Sequence, residues 1–328
     1  LIVIKSTLPI TAVNMLKEEL GKVFKEGEDF EIASNPEFLR EGRAVYDFFN
    51  PDRIVLGANS SRSIDLLKNF YSPLINRSLS VPEDIAVEEK EIPFVITNLP
   101  SAQMIKYGSN AFLANKVSFV NEMAQICESV GADVKDVISG MGLDPRIGTN
   151  YMQPGPGFGG PCLEKDLAAL IELGKFFELE STFMKAILDR NERQVDLIRD
   201  KVTKEIDSSG AIITILGLAF KAGTDDIRNS ASIKLINMLL KDGYSVRSYD
   251  PVAKFKVDNN KYCQFEDIYL ASESADCAII MTEWQEFKSI DLNKLKDLME
   301  SNIIFDMRNI LDRFEVEKIG LNYIGLGS

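Results

Sequence analysis

Residues Ile212 to Pro251 read "IITILGLAFKAGTDDIRNSASIKLINMLLKDGYSVRSYDP". Ile212 to Leu216 is an apolar, β-branched run that stops at Gly217, as a buried strand does. "IKLINMLLKDG" repeats apolar residues at helical spacing and ends on glycine, the usual mark of a helix C-terminus. "YSVRSYDP" reads as the next strand, closed by Asp250 and Pro251. Strand, helix and strand in that order make a parallel unit with a crossover helix. "DCAIIMTEW" and "NIIFDMRNILD" add further strands with polar residues at their carboxyl ends.

Working toward the amino terminus, the period changes. From Ser101 to about Ser129, Met104, Ile105, Tyr107, Phe112, Leu113, Val117, Val120, Met123 and Ile126 recur at helical spacing without a proline. At 1.5 Å per residue that helix spans roughly 45 Å. "DVKDVISGMG", "DLAALIELGKFF" and "FMKAILDRNERQVDLIRDKVTKEI" add more helix. Residues 1–97 return to alternation, with "LIVIKST", "FEIASN", "RIVLGA" and "FVIT" as strands between amphipathic segments. The pattern predicts an α/β protein with two Rossmann-like, doubly wound parallel-sheet domains. These are residues 1–97 and 206–328, joined by a long central helix within a helical middle domain, 98–205. Ligands on such sheets bind beyond the carboxyl ends of the strands, where "KST" and "SNPEFLREG" fall. The abrupt start on "LIVIKST" suggests further residues upstream of Leu1 in the full protein.

Net charge is −13, with 50 acidic against 37 basic residues. That excludes a general binder of nucleic acid or anionic membrane, both of which need basic surface. No apolar run approaches the ~20 residues of a membrane helix. The four cysteines, Cys127, Cys162, Cys263 and Cys277, lie too far apart for a zinc or CxxC pattern, so no metal is expected and reduced thiols in the cytoplasm are. There is no histidine. Acid–base work must fall to Glu, Asp, Lys, Cys or water.

"GPGFGGPCLEKD", Gly155 to Asp166, sets a cysteine in a glycine-rich loop. Glycines let backbone N–H groups approach phosphate oxygens. Cys162 falls where "LEKDLAALIEL" begins as a helix, and a helix N-terminus beside Lys165 favours the thiolate. The alternative is a tight turn before a helix with a small buried cysteine. "MIKYGSNAF" places Lys106 and Asn110 one turn apart, as a desolvated cation at a pocket or as an ordinary solvated edge. "SNPEFLREG" holds Glu37 and Glu41 after a strand, either as acid and base or as first-turn acids stabilised by the helix dipole. "LAFKAGTDDIRNS" follows a strand but lacks the GxGxxG spacing. Lys221, Arg228 and, in "FDMRN", Arg308 remain candidate phosphate ligands.

Taken in order, KST-x-P, SNPEFLREG, NPDRIVLG, K-x3-N-A-F, DPRIG, GFGGPCLEKD, FKAGTDDIR and DMRN resemble the UDP-glucose 6-dehydrogenases of the nucleotide-sugar dehydrogenase family, over essentially the whole chain. That resemblance implies oxidation of a sugar CH2OH to a carboxylate with NAD as cofactor. The family's N-terminal glycine finger and its acidic ribose-binding residue have no counterpart here, so residues 1–97 would be the carboxyl-terminal portion of an NAD-binding domain.

The resemblance also implies roles. Cys162 matches the nucleophile that traps the aldehyde as a thiohemiacetal and then carries a thioester. Lys106, Asn110 and Asp166 match the polar set around the reacting carbon. Glu37 matches the carboxylate that activates water for thioester hydrolysis, with Thr7 orienting that water. Ser6, Thr7, Glu41, Cys162 and Arg228 match positions that meet NAD. Glu37, Phe38, Leu39, Lys106, Asn110, Tyr151, Gln153, Gly155, Phe158, Gly159, Phe220, Lys221 and Arg308 match positions that hold the UDP-sugar in the carboxyl-terminal, UDP-sugar-binding half and around the loops. Arg146 matches an arginine that reaches the neighbouring subunit's substrate, which implies a homodimer on the long helix. GDP-mannose and UDP-N-acetylhexosamine dehydrogenases are the nearest alternatives; a catalytically silent nucleotide-sugar binder and a thiol-redox protein are the more distant ones.

Overall fold

The computed structural model describes residues 1–206 and 210–327. Contacts divide the chain into two units, Leu1–Ala111 with Ala168–Glu180, and Phe112–Leu167 with Ser181–Ser328.

The first unit begins with β1 (Ile2–Ile4), α1 (Ile10–Gly21), β2 (Ile32–Ser34), α2 (Ala44–Phe49), β3 (Ile54–Ala58), α3 (Ser61–Ile75) and β4 (Phe94–Thr97). The strands form one sheet in the order β1-β2-β3-β4. β1–β2 and β3–β4 are parallel, as expected. The β2–β3 pair departs from the expected all-parallel sheet: it is antiparallel, with Ala33 opposite Ala58 and Ser34 opposite Gly57. An antiparallel partner needs no crossover. Segment 35–53 can therefore turn back from the carboxyl end of β2 instead of crossing the face of the sheet. Ala33, Leu56, Ile64, Leu67, Tyr71 and Leu74 form the core between this sheet and α3. α3 presents its apolar residues at helical spacing, and its N-cap Ser60 accepts the Ser63 N–H.

Four helices follow: α4 (Leu99–Val130), α5 (Val134–Gly142), α6 (Leu163–Phe176) and α7 (Thr182–Glu205). α4 and α6 each supply residues to both units. Pro100 stands in the first turn of α4, where its missing N–H costs no helical hydrogen bond. Among the described residues no helix is long and apolar enough to cross a membrane.

The second unit continues with β5 (Ile212–Leu216), α8 (Ala231–Lys241), β6 (Ser245–Tyr249), β7 (Tyr262–Gln264), α9 (Ile268–Ser272), β8 (Cys277–Ile280), α10 (Gln285–Lys288), α11 (Leu292–Leu298), β9 (Ile303–Asp306), α12 (Arg313–Lys318) and β10 (Asn322–Ile324). The sheet order is β10-β9-β8-β5-β6-β7, every pair parallel. This is the doubly wound order, with its reversal between β5 and β8. Ile213 and Ile215 face one core with Leu235 and Leu239 of α8; Leu216 and Ile280 face the other with Phe287 and Ile304. Each such side chain, fully buried, contributes about 1.5–3 kcal/mol. Burial on both sheet faces explains why these strands read as continuous apolar runs. Asp250, just past β6, accepts the N–H groups of Leu218, Ala219, Val252 and Ala253 and the Trp284 indole N–H. Its carboxylate thereby pins the turn after β5.

Candidate active site

In the first unit the candidate residues gather on the segment that leaves β2. Asn35 donates from its backbone N–H to Ile4 O and from Nδ2 to Val55 O, 2.8 Å each. Lys5 Nζ donates to Asn35 Oδ1 at 2.9 Å and to Tyr71 Oη at 3.0 Å. At the far end of the segment, Arg40 donates its backbone N–H and Nε to the buried Asp47 carboxylate at 2.8 and 2.9 Å. Burial alone would raise the Asp47 carboxyl, but the Arg40 side chain and backbone outweigh it and hold it below the usual aspartate range. Glu37, Phe38 and Leu39 are thus suspended between two fixed points.

Lys106, buried on α4, brings Nζ to 3.4 Å from Glu37 Oε1 and 5.2 Å from the Phe38 ring centre. Asn110 is buried one turn further along the same helix. Ser6 and Thr7 follow β1 at its carboxyl end, and Glu41 is half-buried near the end of the segment. A cavity of about 330 Å3 is lined by Glu37, Phe38, Leu39, Arg53, Phe70 and Tyr71 among others.

In the second unit the glycine-rich stretch pairs with no strand among the described residues, and side chains hold it instead. Asn191 of α7 accepts the Phe158 N–H at 2.8 Å and donates to Phe158 O at 2.9 Å. Gln194 donates to Gly155 O at 2.7 Å, and Asn121 of α4 accepts the Gly155 N–H at 2.8 Å. Gly157 adopts φ +100°, and a Cβ there would fall 2.6 Å from Asn191 Oδ1. Gly160, at φ +77°, lies so close to Phe220 that a Cβ would meet the ring at 2.8 Å. Those two positions require glycine. Gly160 also donates its N–H to Arg228 O at 2.9 Å.

These contacts bring the stretch beside the carboxyl ends of β5 and β9. Phe220 and Lys221 follow β5; Arg308 follows β9 and lies against Gly155. Arg308 donates from Nε to Met281 O at 2.9 Å and from Nη2 to Phe220 O at 3.1 Å. The exposed Cys162 immediately precedes α6, and its carbonyl accepts the Asp166 N–H at 3.0 Å. Asp166 is buried, 3.4 Å from Lys165 Nζ. An exposed thiol at a helix N-terminus is placed for nucleophilic attack. Burial pushes the Cys277 thiol up, leaving that cysteine unreactive.

Other candidate residues stand further out. Tyr151 is exposed with φ +65°, beside Asn150, whose carbonyl accepts from Lys116 Nζ at 2.9 Å. Gln153 is exposed. Arg228 is held by Asp226, and the exposed Arg146 by Asp144 at 2.6 Å.

Sequence reasoning missed Arg53, Asn121, Asn191 and Gln194. Arg53 Cζ lies 3.8 Å from the Phe38 ring centre, and its Nη2 donates to Ser109 Oγ at 3.4 Å. Asn191 and Gln194 did carry a signal: they fall among Ile187, Val195, Ile198 and Val202 on the buried face of α7. An amide at an apolar position implies a fixed polar partner.

Comparison with known proteins finds relatives over essentially the whole chain. Residues 1–75, 100–193 and 214–313 match, respectively, the NAD binding, central and UDP binding domains of the UDP-glucose/GDP-mannose dehydrogenase family. A UDP-glucose 6-dehydrogenase of Rickettsia typhi is 42% identical over 334 residues, covering 100% of this chain and 73% of that protein. A UDP-glucose dehydrogenase structure from Pyrobaculum islandicum superposes with a TM-score of 0.82 at 33% identity, covering 98% of this chain and 69% of the other. A UDP-D-ManNAc dehydrogenase structure from Pyrococcus horikoshii gives 0.83 at 28% identity, covering 100% and 72%. The chain belongs to the UDP-glucose/GDP-mannose dehydrogenase family.

Proposed function

We propose that the chain oxidises the C6 hydroxymethyl group of UDP-glucose twice, giving UDP-glucuronate, with NAD as cofactor and Cys162 as the covalent carrier. The observation that carries this is the exposed Cys162 thiol, set at the N-terminus of α6 on a stretch anchored beside the carboxyl ends of β5 and β9. The supporting division of labour is residues 1–97 for NAD, 98–205 for the cysteine stretch and 206–328 for the UDP-sugar.

The donor set suits NAD. Ser34 Oγ, at the carboxyl end of β2, is buried without a hydrogen-bond partner among the described residues, and Ser6 and Thr7 follow the neighbouring end of β1. Hydroxyls and the Glu41 carboxylate there suit a ribose and an amide. Ser6, Thr7 and Glu41 would hold the nicotinamide half, and Arg228 a phosphate. When bound, NAD+ would supply the hydride acceptor, one NAD+ for each of the two oxidations.

The chain's own residues do the rest. Lys106 stabilises negative charge developing on the sugar oxygen, and Asn110 holds that oxygen. The Cys162 thiolate adds to the aldehyde carbon, so the half-oxidised sugar stays bound as a thiohemiacetal. After the second oxidation the sugar is a Cys162 thioester. Glu37 takes a proton from a water oriented by Thr7; hydroxide adds to the thioester carbonyl and the thiolate leaves. Asp166 positions a water or assists proton transfer, so that the proton the C6 hydroxyl loses in the first oxidation leaves through water. Phe38, Leu39, Tyr151, Gln153, Gly155, Phe158, Gly159, Phe220, Lys221 and Arg308 bind the nucleotide sugar.

The chain also acts as a homodimer in the cytoplasm. Phe112, Phe119, Ile126 and Val130 are exposed along one face of α4 at helical spacing, an apolar stripe suited to a second copy. Arg146, 88% exposed at its side chain, would serve the neighbouring subunit's substrate.

Reduction of NAD by the protein offered UDP-glucose, UDP-N-acetylmannosamine or GDP-mannose tests the assignment. Turnover is expected with UDP-glucose. Preference for UDP-N-acetylmannosamine would move the chain toward the branch of the Pyrococcus protein.

A further inference from the structure

We propose that Asn121, Asn191 and Gln194 are positioning residues that fix the attitude of the Cys162 stretch. Their roles go beyond the residues that touch substrate, and the proposal rests on the assignment of Cys162 as nucleophile.

The three side chains are 2%, 7% and 3% exposed. Buried amides are costly unless satisfied. Apart from the Arg190–Gln194 contact, their hydrogen bonds go to the backbone of one irregular segment. Asn191 engages both the N–H and the carbonyl of Phe158, as a strand neighbour would. Asn121 and Gln194 divide the same task at Gly155. The segment between those anchors holds Gly157 against Asn191. Cys162 follows directly, after the contacts of Gly160 with Arg228 O and Phe220.

The orientation of Gln194 is itself enforced. Arg190 Nη1 donates to Gln194 Oε1 at 2.8 Å. A guanidinium only donates, and the Gly155 carbonyl only accepts. Oε1 must therefore face Arg190 and Nε2 must face Gly155. A flipped amide would oppose donor to donor and acceptor to acceptor. Gln194 is thus locked in the single state that holds the stretch.

The experiment separates positioning from simple stability. Gln194→Glu keeps an acceptor for Arg190, now as an ion pair, but removes the donor to Gly155. Asn191→Asp keeps the acceptor for Phe158 N–H and removes the donor to its carbonyl. In the ligand-free chain, iodoacetamide alkylation of Cys162 is followed by peptide mass spectrometry, with the exposed Cys263 as internal control. Both variants are expected to change the Cys162 rate at least about threefold while leaving Cys263 alone. Protection by UDP-glucose should weaken, and kcat/KM should fall on the order of tenfold to a hundredfold, measured at a temperature where each variant is fully folded.

A lowered melting temperature with wild-type Cys162 reactivity, protection and kcat/KM would overturn the proposal. Should either variant fail to fold, Arg190→Met, which leaves both loop contacts but unlocks the Gln194 amide, carries the test, with an intermediate change in Cys162 alkylation expected and no change contradicting it. If the alkylation shift appears while the wild-type chain oxidises no sugar nucleotide, the functional assignment falls and the clamp stands.

Discussion

Lys106 Nζ stands 3.4 Å from Glu37 Oε1, a contact between α4 and the segment leaving β2. The two proposed roles, oxyanion stabiliser and water-activating base, therefore sit on one ion pair. Removing the lysine charge should cost about 10²–10³ in kcat, the scale of losing one preorganised electrostatic donor. Lys106→Met is expected to show that loss with a much smaller change in UDP-glucose affinity by calorimetry. Glu37→Gln should instead slow the release of product and accumulate the acyl form, seen as a burst of reduced NAD followed by a slow steady state. Equal losses of affinity and turnover in Lys106→Met would mark it as an anchor of substrate.

Gly157→Ala tests the close approach in the second unit. Alanine at φ +100° is strained, and its Cβ would fall 2.6 Å from Asn191 Oδ1. The strain is about 1–3 kcal/mol, and relief requires the Phe158–Asn191 bonds to open. A lowered melting temperature and a large loss of UDP-glucose binding are expected together. An unchanged affinity would show that the stretch tolerates displacement.

Much of this was legible in the sequence. β5, α8 and β6 follow from apolar runs and helical period because both faces of their sheet are covered, and Cys162 was placed at a helix start by "LEKDLAALIEL". The antiparallel β2–β3 pair was not legible. A three-residue strand before Pro36 carries no direction, and the return runs through segment 35–53, where Arg40 and Asp47 meet only once the chain has turned. Arg53 was hidden for a similar reason: its partners, Phe38 and Ser109, come from two other segments. Asn191 and Gln194 stood in view on an apolar helix face, but the backbone they satisfy was not.

Asp47 predicts a pH signature. Its folded pKa is lowered, so its contribution is present above the unfolded aspartate value of about 4 and is lost as pH falls through the folded value. Asp47→Asn should lower stability by on the order of 1–2 kcal/mol at neutral pH, a figure reduced because Arg40 is largely exposed. The gap between variant and wild type should close as the pH drops below about 4. Chemical denaturation at neutral and acid pH measures it; a gap that persists in acid would assign the loss to packing.

The α4 stripe gives an oligomer test. Phe119→Glu places a charge in the middle of Phe112, Ile126 and Val130. Light scattering after size exclusion should show a dimer for wild type and a monomer for the variant, since an unpaired buried charge opposes association. A variant that stays dimeric would place the interface elsewhere.

The covalent route has the most direct test. Intact-mass spectrometry of the protein quenched during turnover of UDP-glucose should show a sugar-nucleotide adduct that maps to Cys162. Cys162→Ala should lose both the adduct and UDP-glucuronate while still binding UDP-glucose. Normal acid formation by Cys162→Ala, with no adduct in the wild type at any time, would contradict it.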